Sequence, residues 1–221
     1  MSVPKILKNP LFLISIIVWL YVLIPFIAPI AYTVENEKLG WGINQFYENF
    51  CHQRVERSVF LFGKSSPISF YTVQELKDAK AIPQTNTNPG RYIWPEYFGH
   101  DYVGNKVVGY KVPICIRDIA LYGSLALFLT IFSLLKPKTV DKYATQRLYL
   151  YGFLLLLPMI LDGVAQTIIE GFMIKSVPLS YIHSISKRIV TGSLFGLGLS
   201  LILLKLFNEG RLTKQEEKGK I

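Results

Sequence analysis

Apolar residues dominate four stretches of the chain, 11–32, 119–135, 148–169 and 189–204, and no charge falls between Lys8 and Glu35. A hydrocarbon core of about 30 Å takes ~20 helical residues, with a range of roughly 17–25. The second and fourth stretches are short by that measure, but Arg117, Lys136, Arg188 and Lys205 can snorkel to the interface and lengthen them. The pattern therefore predicts four transmembrane helices, with Pro25 and Pro29 kinking the end of the first. Between the first and second spans lies a segment, 34–114, of two unlike halves. In the first, Ile43, Phe46, Tyr47, Phe50, Cys51, Val55, Val59 and Phe62 recur at three- and four-residue steps. That period predicts an amphipathic helix over about 43–62, lying on the membrane surface or on the outer ends of the bundle. The second half, 82–113, is rich in Pro, Gly, Asn and Tyr and includes Asn88-Pro89-Gly90. Its predicted hairpin runs from Tyr102-Val103 to Val107-Val108 and turns at Gly104-Asn105-Lys106. No internal repeat is evident, and the Lys/Glu-rich tail after Phe207 reads as disordered.

The expected fold is an all-α integral membrane protein: four transmembrane helices with an extracytoplasmic amphipathic helix and a small irregular or β-hairpin cap. The expected divisions are a tail and first span at 1–33, the extracytoplasmic segment at 34–114, the other three spans at 115–207, and a tail at 208–221.

Charge sets the expected orientation. Three short segments carry most of the local excess: Lys5 and Lys8; Lys136, Lys138, Lys142 and Arg147; and Lys205, Arg211, Lys214, Lys218 and Lys220. Together they hold 11 of the chain's 24 Lys and Arg residues, whereas 34–114 carries nine basic and eight acidic residues. The positive-inside bias puts the three segments, and so both termini, in the cytoplasm of a multi-pass cell-membrane protein. The net charge of +9 then reports topology and attraction to anionic membrane lipids rather than nucleic-acid binding. The first span is expected to stay as an anchor, since its apolar run exceeds a signal peptide's and Pro29 interrupts the small residues at 28–31.

The informative residues are polar ones in or beside the spans. Asp162 interrupts the third span, and a charge at mid-bilayer costs ~2.5–3.5 kcal/mol on insertion scales, so it should face protein or water. Gln166 lies one turn further along the same face. Arg188 and Thr191 open the fourth span, where Gly192 and Gly196 have the spacing that lets helices approach closely, within the chain or in a homo- or hetero-oligomer. The second span opens with Cys115, Arg117 and Asp118, and the surface helix brings Cys51, His52, Arg57 and Ser58. The topology gathers all of these, with His100 and His183, in the outer leaflet and its surface.

Four ordered motifs result: Cys51-His52-Gln53 with Arg57-Ser58, Cys115-x-Arg117-Asp118, Asp162-Gly163-x-x-Gln166, and Arg188-x-x-Thr191-Gly192. Together they resemble a domain-of-unknown-function family of small prokaryotic membrane proteins. The resemblance runs from Cys51 to Gly196, with the stretch between Ser58 and Cys115 expected to be shorter in typical members. It implies a membrane protein and supplies no mechanism.

Chemistry leaves several readings open. Two extracytoplasmic cysteines satisfy the even-number rule for a disulfide, which would close a loop of about 64 residues at ~4 kcal/mol in the loop-entropy picture. Alternatively Cys51, Cys115 and a nearby His52 or Asp would hold zinc or another divalent metal; adjacent Cys51 and His52 point apart on a helix, so sharing one ion requires the helix to end there. A redox thiol pair and two buried free thiols complete the set. In every bonded case Cys51 and Cys115 should lie close together. Asp162 with Arg188 or Arg117 reads as a buried ion pair fixing helix packing, satisfied by Gln166 and Thr191. The alternative makes Asp162 a general base or proton carrier in a cavity open to the outside, beside an anion-binding Arg188 or Arg117. No phosphate loop, nucleophile elbow or His-Glu-x-x-His is present. Two functions follow: a structural or assembly role, or an enzyme acting on a lipid or lipid-linked substrate at the outer leaflet, with or without a metal.

Overall fold

A computed structural model of the protein describes residues 9–51, 53–81, 102–135, 147–171 and 184–219, except the side chains of 170, 171 and 212–219. The three histidines, His52, His100 and His183, lie outside the described residues, as do most of the 82–113 cap and the basic 136–146 loop. Among the described residues, four helical segments are long and apolar enough to cross a membrane: Pro10–Thr33, Ile116–Leu134, Arg147–Ile169 and Ile185–Arg211. The chain divides into two compact units, 1–21 with 120–162 and 189–221, and 22–119 with 163–188.

The described residues of the first unit are helical but for two at segment ends. It takes most of α1 (Pro10–Leu23), α5 (Ile116–Leu134), α6 (Arg147–Gly171) and α7 (Ile185–Gly219). Leu11, Leu125, Leu129 and Leu204 form its core, with Ile14, Val18, Tyr122 and Phe132 packed around them. Polar side chains tie helices together: Trp19 Nε1 donates to Thr130 Oγ1 at 3.1 Å, and Asn9 Nδ2 to the Ser133 carbonyl at 3.1 Å. Glycines set the closest approaches. A Cβ on Gly196 would collide with the Leu121 carbonyl and Ser124 Oγ of α5, and one on Gly198 would stand 2.6 Å from the Gly152 carbonyl of α6. At about 100° per residue, positions 196 and 198 face nearly opposite ways, so α7 is wedged between α5 and α6. Gly196 thus packs directly against α5. Gly152 and Gly198 were not singled out from sequence, because their spacing within each helix carries no repeat.

Burial on α6 is inverted relative to a water-soluble helix. Leu150, Phe153, Leu154, Leu157 and Leu161 are exposed, Leu161 by 65 %, while Asp162 and Gln166 are buried. The tail expected to be disordered after Phe207 is instead a continuation of α7 to Gly219. Lys, Glu, Gln, Arg and Leu are strong helix formers, and extending an existing helix avoids the nucleation cost that a free tail would meet.

The second unit holds everything between α1 and α5, beginning with a 3₁₀ turn at Ile24–Phe26 and α2 (Ile27–Thr33), where Pro25 and Pro29 break the first helix as foreseen. It adds α3 (Glu37–Glu48), β1 (Ser58–Leu61), β2 (Ile68–Ser69), α4 (Val73–Asp78), β3 (Gly104–Asn105) and β4 (Gly109–Cys115). The strands form one antiparallel sheet in the order β2-β1-β4-β3. Val55, Phe60, Leu76 and Val108 are its buried core, with Tyr71 and Tyr102 alongside.

Two sequence expectations are corrected here. The amphipathic helix over 43–62 is only the shorter α3, followed by a 3₁₀ turn and strand β1. Asn49 Nδ2 donates to the Gln45 and Phe46 carbonyls and closes the helix, and Gln53 then takes a left-handed φ of 49°. The apolar period that continued through Val55, Val59 and Phe62 belongs to the 3₁₀ turn, to β1 and to the residue after it; β1 pairs with β4 through Ser58, Phe60 and Leu61. The hairpin exists, but its turn is displaced: Asn105 pairs with Gly109, and Asn105 Oδ1 accepts from the amides of Val107 and Val108. That side-chain turn outweighs the Gly104 signal, since Gly104, at φ 92°, belongs to the strand. Helix α4 was not foreseen, although Thr72 and Glu75 form a capping box at its start, a signature readable in the sequence.

Candidate functional site

Cys51, Cys115 and Asp118 come together in the second unit. The two sulfurs and a carboxylate oxygen of Asp118 lie within 4.8 Å of one another. Both cysteines are free thiols, Cys51 buried and Cys115 half-buried. Three elements deliver them. Cys51 follows the end of α3, its amide donating to the Tyr47 carbonyl at 3.0 Å. Cys115 ends β4, opposite Ser58 of β1, and immediately precedes α5. Asp118 sits in the first turn of α5, where the exposed amides and helix dipole favour a negative group.

Buried polar side chains hold the corner between Cys51 and β1 in place. Gln53 Nε2 donates to the Asn44 carbonyl at 2.8 Å, and Lys111 Nζ of β4 donates to the Gln53 carbonyl at 3.3 Å. Gln53 and Lys111 are each 0 % exposed. Ser58 Oγ donates to the Arg54 carbonyl, and Arg54 pairs with Glu56 at 2.6 Å. Asn44 and Lys111 are site-building residues that sequence reasoning did not find. Nothing in a lysine between Tyr110 and Val112 signals burial until β4 is known to pair with β1 and to meet the Cys51 corner.

The thiols are unequal. Cys51 is drawn below its ordinary value of 9.0, first because the Cys115 thiol donates to its sulfur, with the Gln53 amide helping against burial and the Asp118 charge. Cys115 is pushed well above 9.0 by that same hydrogen bond, by burial and by the Asp118 charge, and the Asp118 amide opposes the rise only in part. Of the two thiols, Cys51 is therefore the one that gives up its proton more readily. Such an arrangement can hold a cation, exchange with a disulfide, or stay a hydrogen-bonded thiol pair.

The other residues singled out from sequence are distributed as follows. Arg57 stands half-buried in the 3₁₀ turn Val55–Arg57, and Arg117 half-buried in the first turn of α5. Gln166 and Arg188, both in the second unit, meet directly: Arg188 Nη2 donates to Gln166 Oε1 at 2.9 Å, and Arg188 is 1 % exposed. Asp162 and Thr191 are buried residues of the first unit, and Gly192 is buried beside Thr191 in the chain.

No curated protein and no solved structure matches the chain. A family model does, over residues 106–202, which take in β4, α5, α6 and much of α7. Three of the four motifs fall inside that range, those opening at Cys115, Asp162 and Arg188; the Cys51–Ser58 motif precedes it. The family that the motifs resemble is therefore the one this chain matches across residues 106–202, described as Predicted membrane protein (DUF2085), a family of unknown function.

Proposed function

We propose that the protein is an integral membrane protein with both termini in the cytoplasm, and that its buried polar residues serve a structural or assembly role. The single observation that carries this reading is Arg188: it is almost wholly enclosed by protein and spends a guanidinium donor on Gln166. An arginine used to capture a lipid headgroup or a lipid-linked substrate needs an open approach, so this enclosure weighs against the enzymatic alternative built on Asp162, Arg188 and Arg117. A buried guanidinium held by fixed acceptors specifies how helices meet.

Exposed apolar rows on the long helices support the membrane setting, as does the basic character of the three short segments. The test is Gln166→Leu, which strands a buried arginine donor at a cost of ~1–3 kcal/mol. The variant protein should insert in normal amount yet unfold more readily in detergent. A Gln166→Leu protein that unfolds with the wild type would refute the structural reading.

A further inference from the structure

We propose that Cys51, Cys115 and Asp118 form a metal site for a zinc-class divalent cation, with three protein ligands and a fourth position left to an exchangeable ligand. The inference goes beyond the scaffold reading and does not depend on it. It rests on the convergence of three ligand atoms from three separate elements, all within 4.8 Å. Donors bound to a tetrahedral zinc at ~2.0–2.3 Å stand about 3.5–3.8 Å apart, so a cluster within 4.8 Å needs to contract by at most about 1.3 Å to close on an ion.

The third donor separates this reading from a disulfide. A disulfide needs two sulfurs and gains nothing from a carboxylate held against both, whereas a cation compensates the charge that two thiolates and Asp118 would otherwise concentrate there. Binding releases the two thiol protons to solvent, forms two sulfur–metal bonds and one oxygen–metal bond, and leaves one negative charge on the complex with a dipositive ion. Sulfur donors with one oxygen favour zinc, or cobalt as its spectroscopic substitute, over magnesium or calcium. The site is also braced as ligand sites are: Gln53 and Lys111 fix the backbone beside Cys51, and the Ser58 pairing fixes Cys115. A water or a small anionic oxygen or sulfur ligand would complete the tetrahedron.

The experiment uses the full-length chain, purified in detergent under reducing conditions and equilibrated with Zn²⁺ alone or Co²⁺ alone. About one zinc per chain should survive dialysis, and the cobalt form should show the intense near-ultraviolet absorption of thiolate coordination. Cys51→Ser and Cys115→Ser should each abolish that absorption, and the isosteric Asp118→Asn should weaken zinc binding at least tenfold. A protein whose mass is lower by two hydrogens, holding no metal, would replace the site by a disulfide. Zinc retained equally by Asp118→Asn would leave only adventitious binding to thiols. Should a variant fail to fold, the cobalt spectrum of the unaltered chain still decides: no thiolate absorption overturns the proposal.

Discussion

Replacing Gly196 by alanine adds one methyl group where α7 meets α5. The new Cβ would overlap the Leu121 carbonyl oxygen and Ser124 Oγ, and would stand 2.9 Å from the Leu125 amide nitrogen. Ser124 can rotate; the two backbone atoms cannot, so the helices must part or α7 must turn. Overpacking of this kind costs ~1–3 kcal/mol, and backbone obstacles place it toward the upper end. Alanine's better helix propensity returns up to about 1 kcal/mol. The net expectation is about 2 kcal/mol, roughly a thirtyfold shift in the unfolding equilibrium. Two further substitutions grade the effect. A Cβ at Gly152 would meet the Ile202 side chain at 2.6 Å and the Gly198 carbonyl at 3.1 Å, and since Ile202 can move, the loss should be smaller. A Cβ at Gly123 meets nothing within 4 Å, so Gly123→Ala should be neutral or slightly stabilising. The assay is unfolding in mixed detergent micelles, followed by circular dichroism. Equal midpoints for Gly196→Ala and Gly123→Ala would refute the claim that Gly196 sets the α5–α7 approach.

Three other expectations concern the remaining parts of the molecule. Reporter fusions in the 136–147 loop and at the tail should show cytoplasmic activity only; export-dependent activity at either position would overturn the topology and the outer placement of the cysteines. In reduced, metal-free protein, Cys51 should be alkylated at lower pH than an ordinary thiol, because its value is lowered chiefly by the Cys115 thiol. Removing that donor in Cys115→Ala should move the labelling profile of Cys51 to higher pH, and an unchanged profile would contradict the hydrogen bond from Cys115 as the cause. Thr72→Ala removes the side-chain acceptor for the Glu75 amide and should destabilise the second unit by ~1 kcal/mol; protection of the α4 amides from hydrogen exchange equal to the wild type would count against the capping box.

Local composition alone located the four long apolar helices, because hydropathy over about 20 residues is a property of the segment and not of its partners. It also marked the break at Pro25 and Pro29, where proline itself dictates the outcome, and it picked out Cys51, Cys115 and Asp118 as residues of interest. The tail after Phe207 was misread because composition does not reveal that a helix already formed upstream will propagate. Residues 49–62 were misread for a different reason: an apolar spacing of three or four fits a helix and, by coincidence, a turn followed by a short strand, and only pairing of β1 with β4 decides between them. That pairing also places Cys115 opposite Ser58 and brings Lys111 to the Gln53 carbonyl. It brings the cysteine cluster together across more than sixty residues of chain. The choice of Asp118 as third member, and of Gly152 and Gly198 as the contact between α6 and α7, belongs to tertiary structure alone, since neither is written in any local period of the sequence.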